Sequence, residues 1–162
     1  MIVVADASPI NYLVQIGTGY VLPKLFGRVI LPKEVREELK HSAAPAAVRE
    51  WIEAGEPWIE IREPRNQAEE ELRLLDPGES AAIRLAGADL LLIDEKRGRA
   101  AARERGLRTL GTLGVLLQAE KQGLLDALEA FDKLVGTTNF RAAPDLREYF
   151  MQQREGRTGR KT

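Results

Sequence analysis

The sequence predicts an α/β fold in which a parallel sheet is sandwiched between helices. Two observations carry this. Ile2 to Ala5 and Leu90 to Ile93 are continuously apolar without alternation, the habit of strands buried on both faces of a parallel sheet. Helix-forming stretches follow both runs, and the strand–helix order recurs along the chain. Ligands of such sheets bind beyond the carboxyl ends of the strands, near a reversal in strand order. Asp6 and Asp94 stand directly after the two buried runs.

The elements follow in order. After the first strand, Ser8 as N-cap and Pro9 at the first helical position start a helix with Ile10, Leu13 and Val14 as its apolar stripe. Gly17 and Gly19 end it. Arg28 to Leu31 is a second strand, and Pro32 opens a helix over Lys33 to Lys40. A third helix lies in Ala43 to Glu53, between Pro45 and Gly55. Trp58 to Ile61 alternates, as an edge strand or extended connection does. Asn66 to Leu75 is polar and helix-prone. Asp76-Pro77-Gly78-Glu79 launches a helix through Ala86, and the buried run to Ile93 follows. Glu95 to Arg105 is a charged helix, and Gly106 to Leu110 a turn and short strand. Thr112 caps a helix to Gln122, Leu124 to Leu134 is helical, and Pro144 begins a last helix to about Gln153. Residues 1–153 therefore read as one domain, and 154–162, rich in Gly, Arg, Lys and Thr, as a basic, disordered tail.

Composition narrows the chemistry. The 162 residues suffice for one core without staples. The absence of cysteine excludes disulfides, thiolate metal sites and cysteine nucleophiles, and the lone His41 leaves little room for histidine-ligated zinc or a serine triad. No apolar run approaches the ~20 residues of a membrane helix, and Asp6 interrupts the first run too early for a signal peptide. A cytoplasmic location is the expectation. The net charge of −1 hides an asymmetry: residues 1–95 balance to −7 and residues 96–162 to +6. Opposed halves of this kind can mark a nucleic-acid partner.

Two further acids sit on helix faces. Val35 and Leu39 mark the inward side of the helix over 33–40, and Glu38 flanks it. Glu79 lies on the stripe of Ala82, Ile83 and Ala86, where a carboxylate is costly unless paired or bound to a cation. A plainer account exists for each acid. Asp76 as N-cap and Glu79 three residues on form a capping box with Pro77 at the first helical position. Asp6 and Asp94 can cap helices, and Glu38 can simply be solvated. Four carboxylates without histidine or cysteine favour hard divalent cations, Mg²⁺ or Mn²⁺, which suit phosphate chemistry.

The motifs together resemble a known family. Val4-Ala5-Asp6-Ala7-Ser8-Pro9, Pro32 with Val35 and Glu38-Leu39, Asp76-Pro77-Gly78-Glu79 with Ala82-Ile83 and Ala86, Leu91-Leu92-Ile93-Asp94, and Gly111-Thr112-Leu113-Gly114 are together similar to a PIN domain, in its VapC-like branch, from Ile2 to Gly123. The resemblance implies a three-layer sandwich around four or five parallel strands and a Mg²⁺- or Mn²⁺-dependent ribonuclease. By position, Asp6 and Asp94 match the acids after the first and fourth strands and would bind the principal metal, with Glu79 sharing it. Glu79 stands where many relatives have aspartate. Glu38 matches the helix glutamate before a leucine and would orient water or hold a second ion. Ser8 matches the small hydroxyl residue beside the first acid, supporting that acid or capping its helix. The resemblance also implies a homodimer and a small antitoxin protein as partner. A housekeeping RNA-processing nuclease and a non-catalytic RNA-binding module are the alternatives.

Basic residues follow Asp94 at once. Arg97 and Arg99 lie nearest the sheet edge and are the candidates for holding RNA phosphates, against the plainer account of a solvated helix face. Tyr12, Trp51 and Trp58 are expected in the core or an interface, and Tyr149 and Phe150 suit a docking face. An acidic pair after the first strand, a second Asp two residues after Asp6 and a Walker loop are all missing, which sets aside receiver domains, haloacid-type phosphatases and P-loop enzymes.

Overall fold

A computed structural model of the chain describes residues 1–64, 70–85 and 89–158. Five strands, β1 (Val3–Ala5), β2 (Val29–Pro32), β3 (Ile59–Arg62), β4 (Leu90–Leu92) and β5 (Thr109–Leu110), form one sheet in the order β3-β2-β1-β4-β5. Every neighbouring pair is parallel, with Ala5 beside Leu92 and Val4 beside Ile30. The chain lays strands outward from β1 to β3, then returns to the other side of β1 for β4 and β5. The reversal falls between β1 and β4, where Asp6 and Asp94 emerge.

The period-two alternation of strand side chains splits the core into two layers. Val3, Ala5, Val29, Leu31, Leu90 and Leu92 face one side. There they meet α1 (Ala7–Gln15), α2 (Val21–Phe26), α3 (Lys33–Lys40), α4 (Ala46–Ala54), α7 (Thr112–Lys121) and α8 (Ala127–Thr137). Val4, Ile30, Leu91 and Ile93 face the other side, against Ala82 and Ile83 of α5 (Pro77–Leu85) and Ala102 of α6 (Lys96–Glu104). The three-layer α/β/α sandwich expected from the sequence is the fold of the chain.

The differences from expectation are local. Asp6, not Ser8, is the N-cap of α1, which begins at Ala7. Pro9 sits in the first turn, where a missing N–H costs nothing. Gly111, not Thr112, precedes α7. The helix α2 was not expected, because six residues with Pro23 among them show no periodic stripe. Asp126 caps α8, its side chain accepting from the Glu129 amide, and so the helix starts at Ala127 rather than Leu124. Glu70–Leu74 is a short 3-10 helix within the stretch expected to be helical over 66–75. Ala86 and residues 66–69 of those expectations lie outside the described residues.

The last helix, α9 (Leu146–Thr158), runs past Gln153. Phe150 stacks on Phe131 with ring centroids 4.8 Å apart, and Arg154 pairs with Asp126 at 3.1 Å. These contacts continue the helix into the stretch expected to be disordered; residues 159–162 of that stretch lie outside the described ones. Among the described residues, no helix is long and apolar enough to cross a membrane.

Candidate metal centre

The site forms where β1 ends. The β1 backbone runs directly into α1, with Asp6 as the hinge residue in extended conformation and its amide donating to the Leu92 carbonyl of β4 at 2.9 Å. The Asp6 side chain caps nothing and is 4% exposed. Its Oδ1 is buried without any hydrogen-bond donor. A buried carboxylate oxygen without a partner is costly, and a cation is the natural remedy.

Two other carboxylates converge on it. Val35 and Leu39 anchor α3 in the core, which brings Glu38 to the rim of the site. Asp76 stands at the start of α5. One oxygen from each of Asp6, Glu38 and Asp76 lies within 4.8 Å of the other two. Gly78 makes this convergence possible. A Cβ there would come 2.9 Å from Glu38 Oε2 and 3.5 Å from Asp6 Oδ1, so the backbone of α5 forms part of the cradle.

Asp76 was expected only as a cap. It is one: the Glu79 amide donates to its Oδ1 at 2.9 Å. It is also a member of the acid group, and the sequence signal for that second role is only the paired acids around Gly78. Replacement by asparagine separates the two roles, since asparagine caps as well as aspartate. Asp76→Asn is expected to leave the melting temperature within about a degree or two of wild type and to weaken divalent-ion binding about 10–100-fold, measured by calorimetric titration. Unchanged ion affinity would reduce Asp76 to a cap.

Glu79 and Asp94 lie outside this tight group. Glu79 is 5% exposed, with its carboxyl carbon 3.6 Å from where a Cβ would sit on Gly98 of α6. Asp94 is held by α7: the Thr112 amide donates to its Oδ1 at 2.7 Å and the Thr112 hydroxyl to its Oδ2 at 2.6 Å. In this way Asp94 caps a helix that its own N-cap glycine cannot cap. Gly111 permits the approach, because a Cβ there would stand 2.9 Å from Asp94 Oδ1. Ser8 is partly exposed and lines a cleft shared with Asp94; among the described residues it makes no hydrogen bond to Asp6. Arg99 lines the same cleft, whereas Arg97 is exposed outside it.

The electrostatics match the crowding. Burial pushes Asp6 up to about 8, against the pull of the Ala7 amide, and the charges of Asp76, Glu79 and Glu38 add to the rise. Glu79 is pushed up to about 7 by burial, then by Asp76 and Glu95. Glu38 is raised by burial and by Asp76. Asp94 is raised by burial, against the Thr112 bonds and the nearby Arg99 charge. Each shift disfavours the ionised form, and a divalent cation reverses that preference by supplying the missing positive charge. An all-oxygen donor set suits hard ions.

The model of one protein family, described as a PIN domain, matches residues 2–155 of this sequence. Neither a curated protein nor a solved structure gave a match.

Proposed function

The chain belongs to the PIN-domain family, and on that footing we propose that it is a Mg²⁺- or Mn²⁺-dependent endoribonuclease hydrolysing RNA phosphodiesters, a VapC-like toxin of a toxin–antitoxin pair. PIN domains are nucleases in general, and the supporting observation here is the donor-less buried Oδ1 of Asp6 with Glu38 and Asp76 converging on it. Asp6, Glu38 and Asp76 are the nearest donors for an ion. Glu79 and Asp94, the other acids of the catalytic set, flank them. Residues 1–153 carry the activity as one domain.

When bound, the ion neutralises the carboxylates and supplies the Lewis acidity for hydrolysis at phosphorus. The protein's own groups do the rest. Thr112 fixes the rotamer of Asp94 through both carboxylate oxygens. Arg99, beside Asp94, offers a guanidinium to a phosphate. Glu79, whose carboxyl is raised by burial in the metal-free chain, borders the acid group on the α6 side.

Incubation of single-stranded RNA with the protein and Mn²⁺ or Mg²⁺ is expected to give internal cleavage that EDTA abolishes. No cleavage with any divalent ion would sink the catalytic reading and leave an RNA-binding module. The toxin role has its own test. Expression is expected to arrest growth, with relief by the product of a neighbouring gene; cleavage without arrest identifies an RNA-processing nuclease instead. A small antitoxin and a second copy of the chain are the protein partners of this reading.

A further inference from the structure

The two edges of the sheet differ. β5 is a two-residue strand, whereas β3 presents four residues, Ile59–Arg62, paired with β2 on one side only. The Trp58 carbonyl accepts from the Val29 amide of β2 at 2.9 Å. Backbone groups of successive strand residues point to alternate sides. Glu60 and Arg62 therefore also direct theirs to β2, and Ile59, Ile61 and Glu63 turn theirs outward. The Ile59 amide is taken by the Glu56 carbonyl at 3.1 Å. Among the described residues, no backbone group bonds to the Ile61 amide and carbonyl, the Ile59 carbonyl or the Glu63 amide. Ile61, a β-branched apolar residue in the middle of this edge, is itself exposed.

Bare edges are usually guarded by charge against pairing with another chain. On β3 the guard is self-complementary. Glu60 and Arg62 share one face, opposite to that of Ile61. Within one copy they hold each other at 2.7 Å, with Arg28 3.6 Å from Glu60. Antiparallel pairing of two β3 strands about a two-fold axis at Ile61 sets Glu60 directly opposite the partner's Arg62, and the symmetry repeats the pair. The same register fits the backbone. The two Ile61 residues exchange both their bonds, and each Glu63 amide meets the partner's Ile59 carbonyl. A two-fold axis at Glu60 or at Arg62 also fits the backbone alternation, but it sets two like charges face to face, which is destabilising. Charge therefore selects the Ile61 register.

We propose that β3 is a docking edge for a second copy of this chain, pairing antiparallel with the same strand about a two-fold axis at Ile61 and joining two five-stranded sheets into one. A second copy is already a partner in the function proposed above. The inference gives that copy a surface and does not require cleavage of RNA. The two sheets run in opposite directions across the axis, so their carboxyl edges open on opposite sides of the joined sheet. Each acid group then stays complete and uncovered in its own copy. Strands of four residues make a small interface, of the class that associates reversibly.

Sedimentation velocity over a concentration series from about 1 μM to about 300 μM, which brackets a micromolar Kd, tests it. EDTA is present and RNA absent, so the result is independent of the cleavage assay. The wild type is expected to pass from monomer to dimer across the series. Glu60→Arg and Arg62→Glu, each checked for folding by circular dichroism, are each expected to raise the dimer Kd at least about tenfold, because each turns both cross-strand pairs into like charges. Mixed in equal amounts, these two variants are expected to form a heterodimer of about wild-type affinity, since the mixture restores opposite charges in this register. Ile61→Pro removes the outward amide and spares the ladder to β2, and it is expected to stay monomeric. A wild type that is monomeric throughout, or a mixture of the two charge variants that does not associate, would overturn the assignment. A dimer indifferent to all three substitutions would place the second copy on another face and overturn it equally.

Discussion

Asp6→Asn is expected to cut metal-dependent RNA cleavage by at least about a thousandfold while making the metal-free protein more stable at pH 8. Asparagine matches aspartate in shape, so the β1–α1 junction and the surrounding packing persist. What it loses is one charged oxygen at the point where Glu38 and Asp76 converge. Changes to groups that merely orient metal ligands cost about 10–100-fold in metal affinity or activity, and loss of the most buried ligand costs more. The stability gain has the opposite sign because a buried charge crowded by three other acids is unfavourable without a cation. Activity and melting temperature therefore move in opposite directions. If both fell together, Asp6 would be a structural residue and the metal reading would fail.

The second large effect is on stability as a function of pH. Asp6 is raised from 3.8 to about 8 and Glu79 from 4.5 to about 7 in the folded chain. Between the ordinary carboxylate range and these values the folded state binds protons that the unfolded state has released. Stability of the metal-free protein then falls as pH rises. The contribution is fully present below about pH 4 and is lost by about pH 8, and for a group as buried as Asp6 it amounts to several kcal/mol. In EDTA, the melting temperature is expected to fall across this window through these two groups. Mg²⁺ or Mn²⁺ competes with the protons, so the rise in melting temperature on adding the ion is expected to be larger at pH 8 than at pH 5. Asp6→Asn flattens both trends. A melting temperature that climbed from pH 5 to pH 8 in EDTA, or an ion effect independent of pH, would contradict the assignment.

Asp6 and Asp94 were legible in the sequence because parallel strands buried on both faces leave a distinctive apolar run, and the residue after such a run falls on the ligand-binding edge. Glu38 and Glu79 were legible only as acids at or beside an apolar stripe, a weaker signal that a solvated surface also produces. Asp76 escaped because its capping bond already accounts for it locally. Its approach to Glu38 depends on α3 packing against α5, a contact between distant segments that periodicity does not encode. Thr112 was readable as a helix start and not as the holder of Asp94, for the same reason. The helix α2 and the added turn of α9 were missed because tertiary contacts, rather than local pattern, sustain them.

The strand order has a consequence for when the protein becomes active. Synthesis delivers Asp6 first, but its neighbour across the sheet is β4, and the strands made in between are laid on the other side. A nascent chain released or cleaved before α5 lacks Asp76 and Glu79, and one that stops before β5 and α7 lacks the helix that fixes Asp94. Parallel pairing across so many intervening residues also forms late in folding. An incomplete copy therefore lacks the finished acidic edge, because that edge is assembled only by its last strands. For a nuclease of the kind proposed, the topology is a built-in delay.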